Sequence, residues 1–532
     1  MIHTSYATRG MVVAPHALAS QSAIAVLREG GNAIEAMIVA AATIAVAYPH
    51  MNSIGGDAFW LIQVPGQPVR ALDACGAAAG AANVDWFAAR GMREVIPFRG
   101  GAAANTVAGT ISGWDAAYTL SSQLGGRLPL ARLLSDAVGY ARDGVPVTRS
   151  QYAATVGKCT ELEAQPGFAR SFLPDGAPPL AGSRFRQPRL AATLEHLARV
   201  GLDDFYRGEL ARSLAADLEA VGSPLRLADL QAQRALWRAP LTLEHSRGTL
   251  YNMPPPTQGL VSLLILGLLD RLDHGAVEPE GADYVHLAVE ATKQAFAIRD
   301  RYLTDPHYMP VDAQSLLADA ALQTLAEGVQ SHRAAPWPPG RGPADTVWMG
   351  AIDEAGCAVS FIQSIYHEFG SGIVLGGSGV NWQNRGCSFS LDARALNVIR
   401  PGRKPFHTLN PAIARLRDGR LMVYGSMGGD GQPQSQCAVF TRCAVFGMEP
   451  QAAISAPRWL LGRTWGRSSD TLKLESRFAP EVVARLRALG HAVEVLQPFD
   501  EAMGHAGCII RRPDGLLAGG ADPRSDGSAA GF

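Results

Sequence analysis

The sequence predicts an α/β protein, a layered sandwich built by the two ends of the chain around a helical middle. Three features of the residue pattern lead there. Near the start, two helical stretches are followed by a Gly-Gly turn into an apolar strand, the order expected of a helix layer lying on a sheet. Residues 109–330 then repeat apolar positions mostly at helical spacing. After Thr346 short apolar strand patterns return, followed by helices and two more strands.

Taken in order, residues 17–28 place Leu18, Ala23, Ile24 and Leu27 at helical spacing, and Gly30-Gly31-Asn32 stops that helix. A second, alanine-rich helix covers 33–47 and ends before Pro49, because the residue preceding a proline is pushed out of the helical region. Ser53-Ile54-Gly55-Gly56-Asp57 forms a tight loop into a strand at 58–64. In the middle block, helices are predicted at 114–124, 130–143, 188–200, 208–221, 258–272 and 283–303, with Pro254-Pro255-Pro256 as a sharp break. Beyond Thr346 the pattern gives strands at 347–352, 357–365, 411–416 and 420–425. Helices follow near 433–446 and 478–489, then strands near 491–496 and 507–511. The predicted organisation is a first segment 1–345, containing a helical lobe at about 109–330, and a second segment 346–532, both contributing to one sandwich.

With 532 residues the chain exceeds the ceiling of about 250–300 residues for one compact core, so two cores or one large layered domain are expected. Its 47 basic and 48 acidic residues leave a net charge of −1, which gives no reason to expect nucleic acid or an anionic membrane as partner. The seven cysteines are scattered without a CxxC pair. That argues against a disulfide framework or zinc knuckle and suits a reducing compartment. The opening MIHTSYATRGMVV lacks the pattern of a signal peptide. The most apolar runs, 33–48 and 260–269, fall short of the ~20 residues that span a bilayer. The expectation is a soluble, cytoplasmic protein.

Chemistry enters at Asp345-Thr346. A Pro/Gly-rich run, Ala335 to Pro343, ends there and an alternating strand begins, followed by the turn Asp353-Glu354-Ala355-Gly356 and a second apolar run. A threonine at the head of a strand is usually just a β-branched residue. If the chain were cut before it, its hydroxyl would sit beside a free α-amine, placing nucleophile and base on one residue. Ser364 lies on the following strand, where hairpin pairing can bring its hydroxyl back toward Thr346. Gly425-Ser426-Met427-Gly428-Gly429-Asp430 joins a strand to a helix, and Gly428 and Gly429 there can offer backbone N–H groups to an oxyanion. Arg403 to Pro411 is a polar loop with two prolines, either a recognition loop or a solvated turn. Dispersed histidines without HExxH spacing give no support for a metal site, no GxxxxGK[ST] motif is present, and no cofactor is expected.

Together these segments resemble the γ-glutamyltransferase family of N-terminal-nucleophile hydrolases over nearly the whole chain. The matching pieces are Gly10 to Ala14, Leu27 to Ala33, Ser53 to Asp57, Asp345-Thr346, Phe369 to Ile373, Gly425 to Gly429, and Ala521-Asp522-Pro523-Arg524. The resemblance implies a four-layer αββα sandwich and cleavage between Asp345 and Thr346 into a large and a small fragment. It also implies Thr346 as nucleophile, Gly428 and Gly429 as oxyanion donors, and Ser364 where the family usually has a second threonine hydroxyl.

The chain departs from that family at the substrate. Members that act on γ-glutamyl groups hold the α-carboxylate with an arginine and two serines, and the α-ammonium with an acidic residue. Here Ala74 to Ala82 has no arginine, the serine pair is replaced by His407-Thr408, and Asn381 to Ser388 carries Arg385 and no carboxylate. This combination is more similar to the oxamate amidohydrolase branch, with Arg385, His407 and Thr408 binding a small anionic amide. Two alternatives stay open: a γ-glutamyltransferase or glutathione hydrolase, and an inactive structural member of the fold. The expected partners are the substrate and the chain's own two fragments; a homodimer stays open as well.

If Thr346 opens its own peptide bond, the purified protein should resolve by intact mass into fragments 1–345 and 346–532, whereas Thr346→Ala should remain one chain. A Thr346→Ala protein that still splits at this bond would rule out self-cleavage by this residue.

Overall fold

A computed structural model describes residues 3–272, 277–337, 345–463 and 469–532. Two seven-stranded sheets face each other. One runs, in spatial order, Ser5–Ala7, Leu517–Ala521, Ala506–Arg511, Leu421–Ser426, Ala412–Leu416, Gly248–Asn252 and Leu241–His245. The other runs Ser528–Gly531, Met11–Ala14, Asp345–Ile352, Ala358–Tyr366, Asp57–Gln63, Arg70–Ala74 and Leu236–Arg238. Phe59, Trp348, Ile413, Val423 and Ile509 fill the space between them. Helices Ala17–Arg28 and Ala33–Ala47 cover the second sheet; Gly259–Leu269, Gln432–Phe440 and Pro450–Ser455 cover the first. This is the αββα sandwich expected from the sequence, and strands from both ends of the chain build it.

Local chemistry explains the helices that seat the sheet carrying Thr346. Asn32 caps Ala33–Ala47 by accepting from the backbone N–H of Ile34 and Glu35, and Glu35 reaches back to the Asn32 N–H. Such a box satisfies donors that a helix start otherwise leaves open. All fifteen residues of that helix are buried, so its apolar side chains pack on every face. A second carboxylate, Asp353 from the turn after the strand Asp345–Ile352, accepts from Ala33 N–H at 2.9 Å and ties helix to hairpin.

The middle block departs from the expected lobe. Helices such as Thr110–Gln123, Leu130–Asp143 and Pro188–Val200 are present, but Leu236–Arg238, Leu241–His245 and Gly248–Asn252 are strands that extend both sheets. Their period-2 alternation, buried at Leu241, Leu243 and His245, is short and lies between helices, so helical spacing dominates the surrounding window. The strands Met11–Ala14, Arg70–Ala74, Leu517–Ala521 and Ser528–Gly531 also escape the sequence pattern. Four or five residues, mostly small or buried, carry no alternation to detect. Of the Pro/Gly run before the nucleophile, 335–337 are described, and 338–344 lie outside the described residues. Among the described residues no helix is long and apolar enough to cross a membrane.

A buried ion network closes the fold. Asp522 accepts from Arg458, from Arg524 Nη1 at 3.0 Å and from the Ala506 N–H at 2.6 Å, while Arg524 also pairs with Glu475 at 2.7 Å. The two arginines hold the Asp522 carboxyl down to about 2 against the cost of burial. Because its folded value lies below the ordinary carboxylate value, this stabilisation is present at neutral pH and is lost as pH falls from about 4 toward 2. Asp522→Asn should leave two buried guanidinium groups undercompensated and cost about 3–5 kcal/mol, read as a lower urea midpoint. An unchanged midpoint would show that the network contributes nothing to stability.

Candidate active site

The site forms where the strand Asp345–Ile352 begins, opposite the end of Leu421–Ser426 in the facing sheet. Thr346 is fully buried, and Gln432 Nε2 donates to its Oγ1 at 3.4 Å. The hairpin register slips beside it: Asp345 pairs with Tyr366 but Val347 with Gln363, leaving Ser364 and Ile365 opposite Thr346. The register thus sets Ser364 opposite Thr346, and Ser364 Oγ accepts from the Tyr366 N–H at 2.8 Å. On its other side Ser364 pairs with Asp57, the first residue of Asp57–Gln63. The preceding Gly56 lies so close to this strand that a Cβ there would overlap the Ser364 carbonyl, which accounts for the glycine.

Across from Thr346, Gly428 and Gly429 take φ of +118° and +54°, backbone that residues with a Cβ rarely adopt. The chain then turns through Gly429–Gly431 into the helix Gln432–Phe440. Successive N–H groups at such a turn, before a helix, suit a developing oxyanion. Gln258 couples this loop to the 407–408 segment. Its Nε2 donates to Gly429 O at 2.7 Å and to Thr408 O at 2.8 Å, and its backbone N–H donates to His407 O at 2.9 Å.

The substrate candidates also converge. Arg385 is only 2% exposed; its Nη1 donates to Thr408 Oγ1 at 3.3 Å, and its guanidinium carbon lies 3.5 Å from the centre of the Tyr366 ring. Tyr366 itself has φ of +83°, an uncommon conformation for a bulky residue and a strain that clusters at functional sites. Burial draws the Arg385 guanidinium below its ordinary value, yet arginine stays protonated in proteins. Its Nε has no hydrogen-bond partner among the described residues. The loop 403–411 is no solvated turn: Arg403, His407 and Thr408 are buried, and Lys404 pairs with Asp73 at 2.6 Å.

The sequence expects His407 to donate to the substrate's carboxylate, and the structure gives it a carboxylate partner within the chain. Its Nε2 lies 3.0 Å from Asp57 Oδ2, while Asp57 Oδ1 accepts from the Gly76 and Gly109 N–H groups at 2.9 and 3.0 Å. Burial pushes the imidazole down to about 4, so the ring is neutral at pH 7 and its single N–H belongs to Asp57. Sequence reading also missed Asp57, Gln258, Gln432 and Tyr366. Asp57 was visible only as the end of the Gly-Gly loop, and Gln258 only as a residue after three prolines.

Two groups among the described residues bring metal-ligand atoms within 4.8 Å of one another: Asp57, Cys75 and His407, and His286, Glu290 and His491. Asp57 is engaged as above, and Glu290 is taken by Lys293 Nζ at 2.6 Å and the Ala335 N–H at 3.1 Å. A cavity of about 600 Å³ opens beside the site, with Tyr366, Thr408, Asp430, Phe98, Phe389 and Phe406 among its lining residues. A larger one of about 1000 Å³ lies at the turn end of the hairpin, at Gly356 and Arg511, away from Thr346.

Residues 19–532 match the family model described as gamma-glutamyltranspeptidase. The chain is 61% identical to the oxamate amidohydrolase proenzyme of Klebsiella pneumoniae subsp. pneumoniae, covering 100% of both chains. It is 40% identical to the glutathione hydrolase-like YwrD proenzyme of Bacillus subtilis, covering 99% of each. Its fold superposes on the crystal structure of cephalosporin acylase from Bacillus halodurans with a TM-score of 0.91 and 33% identity, over 100% of this chain and 97% of that one.

A β-branched side chain at Gly429 is incompatible with its φ of +54° and with close backbone approach. Gly429→Val that folds and is cleaved should lose on the order of 10²–10³ in kcat, the usual cost of one oxyanion donor. Near-normal turnover would place the oxyanion elsewhere.

Proposed function

This chain belongs to the gamma-glutamyltranspeptidase family, and within it we propose a self-processing N-terminal-threonine amidohydrolase that cleaves oxamate to oxalate and ammonia. The observation that carries the substrate is Arg385, a buried guanidinium stacked on Tyr366, bonded to Thr408 and holding one N–H unpaired. A cation so desolvated favours an anionic ligand, and no acidic side chain from 381–388 stands ready for a substrate ammonium.

Processing begins when Thr346 Oγ attacks the Asp345 carbonyl. The peptide nitrogen leaves as the α-amine of Thr346, and water hydrolyses the resulting ester to free the Asp345 carboxylate. The amine, with an ordinary pKa of about 7.7–8.0, then serves as general base near neutral pH. In turnover it takes the Oγ proton as Oγ attacks the amide carbon, while the Gly428 and Gly429 N–H groups receive the negative charge on the carbonyl oxygen. Collapse expels ammonia, which gains its proton from the α-ammonium, and leaves an oxalyl ester on Thr346. Water, activated by the same amine, releases oxalate. Gln432 and Ser364 orient the Thr346 end of the site, and Arg385 with Thr408 holds the carboxylate beside it.

Arg385→Met should lose about 10- to 150-fold in kcat/KM for oxamate, the worth of one charge-assisted hydrogen bond. Cleavage before Thr346, which needs no carboxylate anchor, should continue by intact mass. Full oxamate turnover in this variant, or a wild type that strongly prefers a γ-glutamyl anilide when both are assayed, would favour the glutathione hydrolase reading instead.

A further inference from the structure

His407, paired with Asp57, directly precedes the Thr408 that Arg385 bonds, and the oxamate reading above leaves the Asp57–His407 pair without a role. A carboxylate only accepts hydrogen bonds, so the 3.0 Å contact between Asp57 Oδ2 and His407 Nε2 fixes the ring hydrogen on Nε2. In the neutral ring Nδ1 is then a lone-pair acceptor. That atom is buried and has no hydrogen-bond partner among the described residues. Adjacent to it in sequence, Thr408 receives the Arg385 guanidinium, whose Nε–H is also buried and unpaired. An unpaired acceptor on His407 and an unpaired donor on the arginine bonded to Thr408 thus belong to a segment that Gln258 ties to the Gly429 loop.

Oxamate offers the complementary set. Its carboxylate and carbonyl oxygens accept, and only its NH₂ group donates. With the carbonyl oxygen on the glycine N–H groups and the carboxylate on Arg385, the amide nitrogen is the remaining polar group. We propose that His407 Nδ1 accepts a hydrogen bond from the substrate's amide N–H, so that the Asp57–His407 pair selects amides over esters of the same acid. This rests on the oxamate reading and refines it, making His407 a specificity residue for the leaving group instead of an anchor for the carboxylate. The neutral ring that this requires agrees with burial holding the imidazole at about 4. The contacts of Asp57 with the Gly76 and Gly109 N–H groups then keep the tautomer fixed by positioning the carboxylate.

The test reverses the tautomer. In Asp57→Asn the side-chain oxygen can still accept from Gly76 and Gly109, while the NH₂ donates to His407 Nε2 and moves the ring hydrogen to Nδ1. A donor would then face the substrate NH₂. Processed wild type and variant are assayed on oxamate and on monoethyl oxalate, whose alkoxy oxygen accepts and has no hydrogen to give. The oxamate-to-ester ratio of kcat/KM should fall by about 10- to 100-fold in the variant, since a buried donor is left unsatisfied only with the amide. Equal losses on both substrates, with the ratio unchanged, would make the pair structural and overturn the proposal. Should the variant not fold, ¹⁵N shifts of His407 in the wild type decide the matter: a protonated Nε2 and bare Nδ1 support it, and a protonated Nδ1 overturns it. A wild type inert toward oxamate would overturn the functional reading together with this inference, whereas an active wild type with an unchanged ratio in the variant overturns the inference alone.

Discussion

Trp348 sets the geometry on which the rest depends. It stands two residues after Thr346 and lies in the space between the sheets, donating from Nε1 to Ser360 Oγ at 3.0 Å. Its indole covers three glycines: Gly350 on its own strand, and Gly425 and Gly507 on paired strands of the facing sheet. A Cβ at Gly425 or Gly507 would overlap the ring, so the large residue and the missing side chains are complementary. Gly425 also leads directly into Met427, Gly428 and Gly429. One packing contact therefore fixes how far the strand carrying Thr346 stands from the loop that faces it.

Around that contact many polar groups are buried and paired with one another. Asp522, Arg458, Arg524 and Glu475 hold the segment at Gly504-His505, and the His505 carbonyl accepts from the Met427 N–H at 3.0 Å. The closing motif of the chain thereby supports the glycine turn from behind. In front, Gln258 joins the same turn to Thr408. Burying so many ionic groups contributes little net stability, because desolvation offsets most of the attraction. Its effect is geometric: each loop has one arrangement in which its charges are paired. Arg385 Nε and His407 Nδ1 are among the buried side-chain atoms that have no partner among the described residues, as are Gln258 Oε1 and Gln432 Oε1.

The two substrate-side residues illustrate how a side chain's type and its chemistry separate. Histidine in a sequence can donate, accept or carry charge. Asp57, 350 positions away, reduces those choices to one by taking the N–H. Arginine admits fewer options, since it only donates, and Arg385 is buried beside Tyr366 and Thr408.

Local signals were sufficient wherever the cause is local. Helices 17–28, 33–47, 130–143 and 188–200 end where glycine, proline or capping residues dictate, and the sequence placed their ends correctly. Thr346 at the head of a strand and the Gly428-Gly429 turn were likewise legible, because each depends on a few neighbouring residues. Strands such as Gly248–Asn252 and Ser528–Gly531 were not, since they are short and owe their state to partners far along the chain. The same holds for the site. The sequence determined by itself which residue types stand at positions 346, 385, 407, 408, 428 and 429. Only the tertiary structure decided that the register slip sets Ser364 opposite Thr346, that Gln432 reaches its hydroxyl, and that Asp57 commits the His407 proton, because those facts are distances between strands and loops that no local pattern encodes.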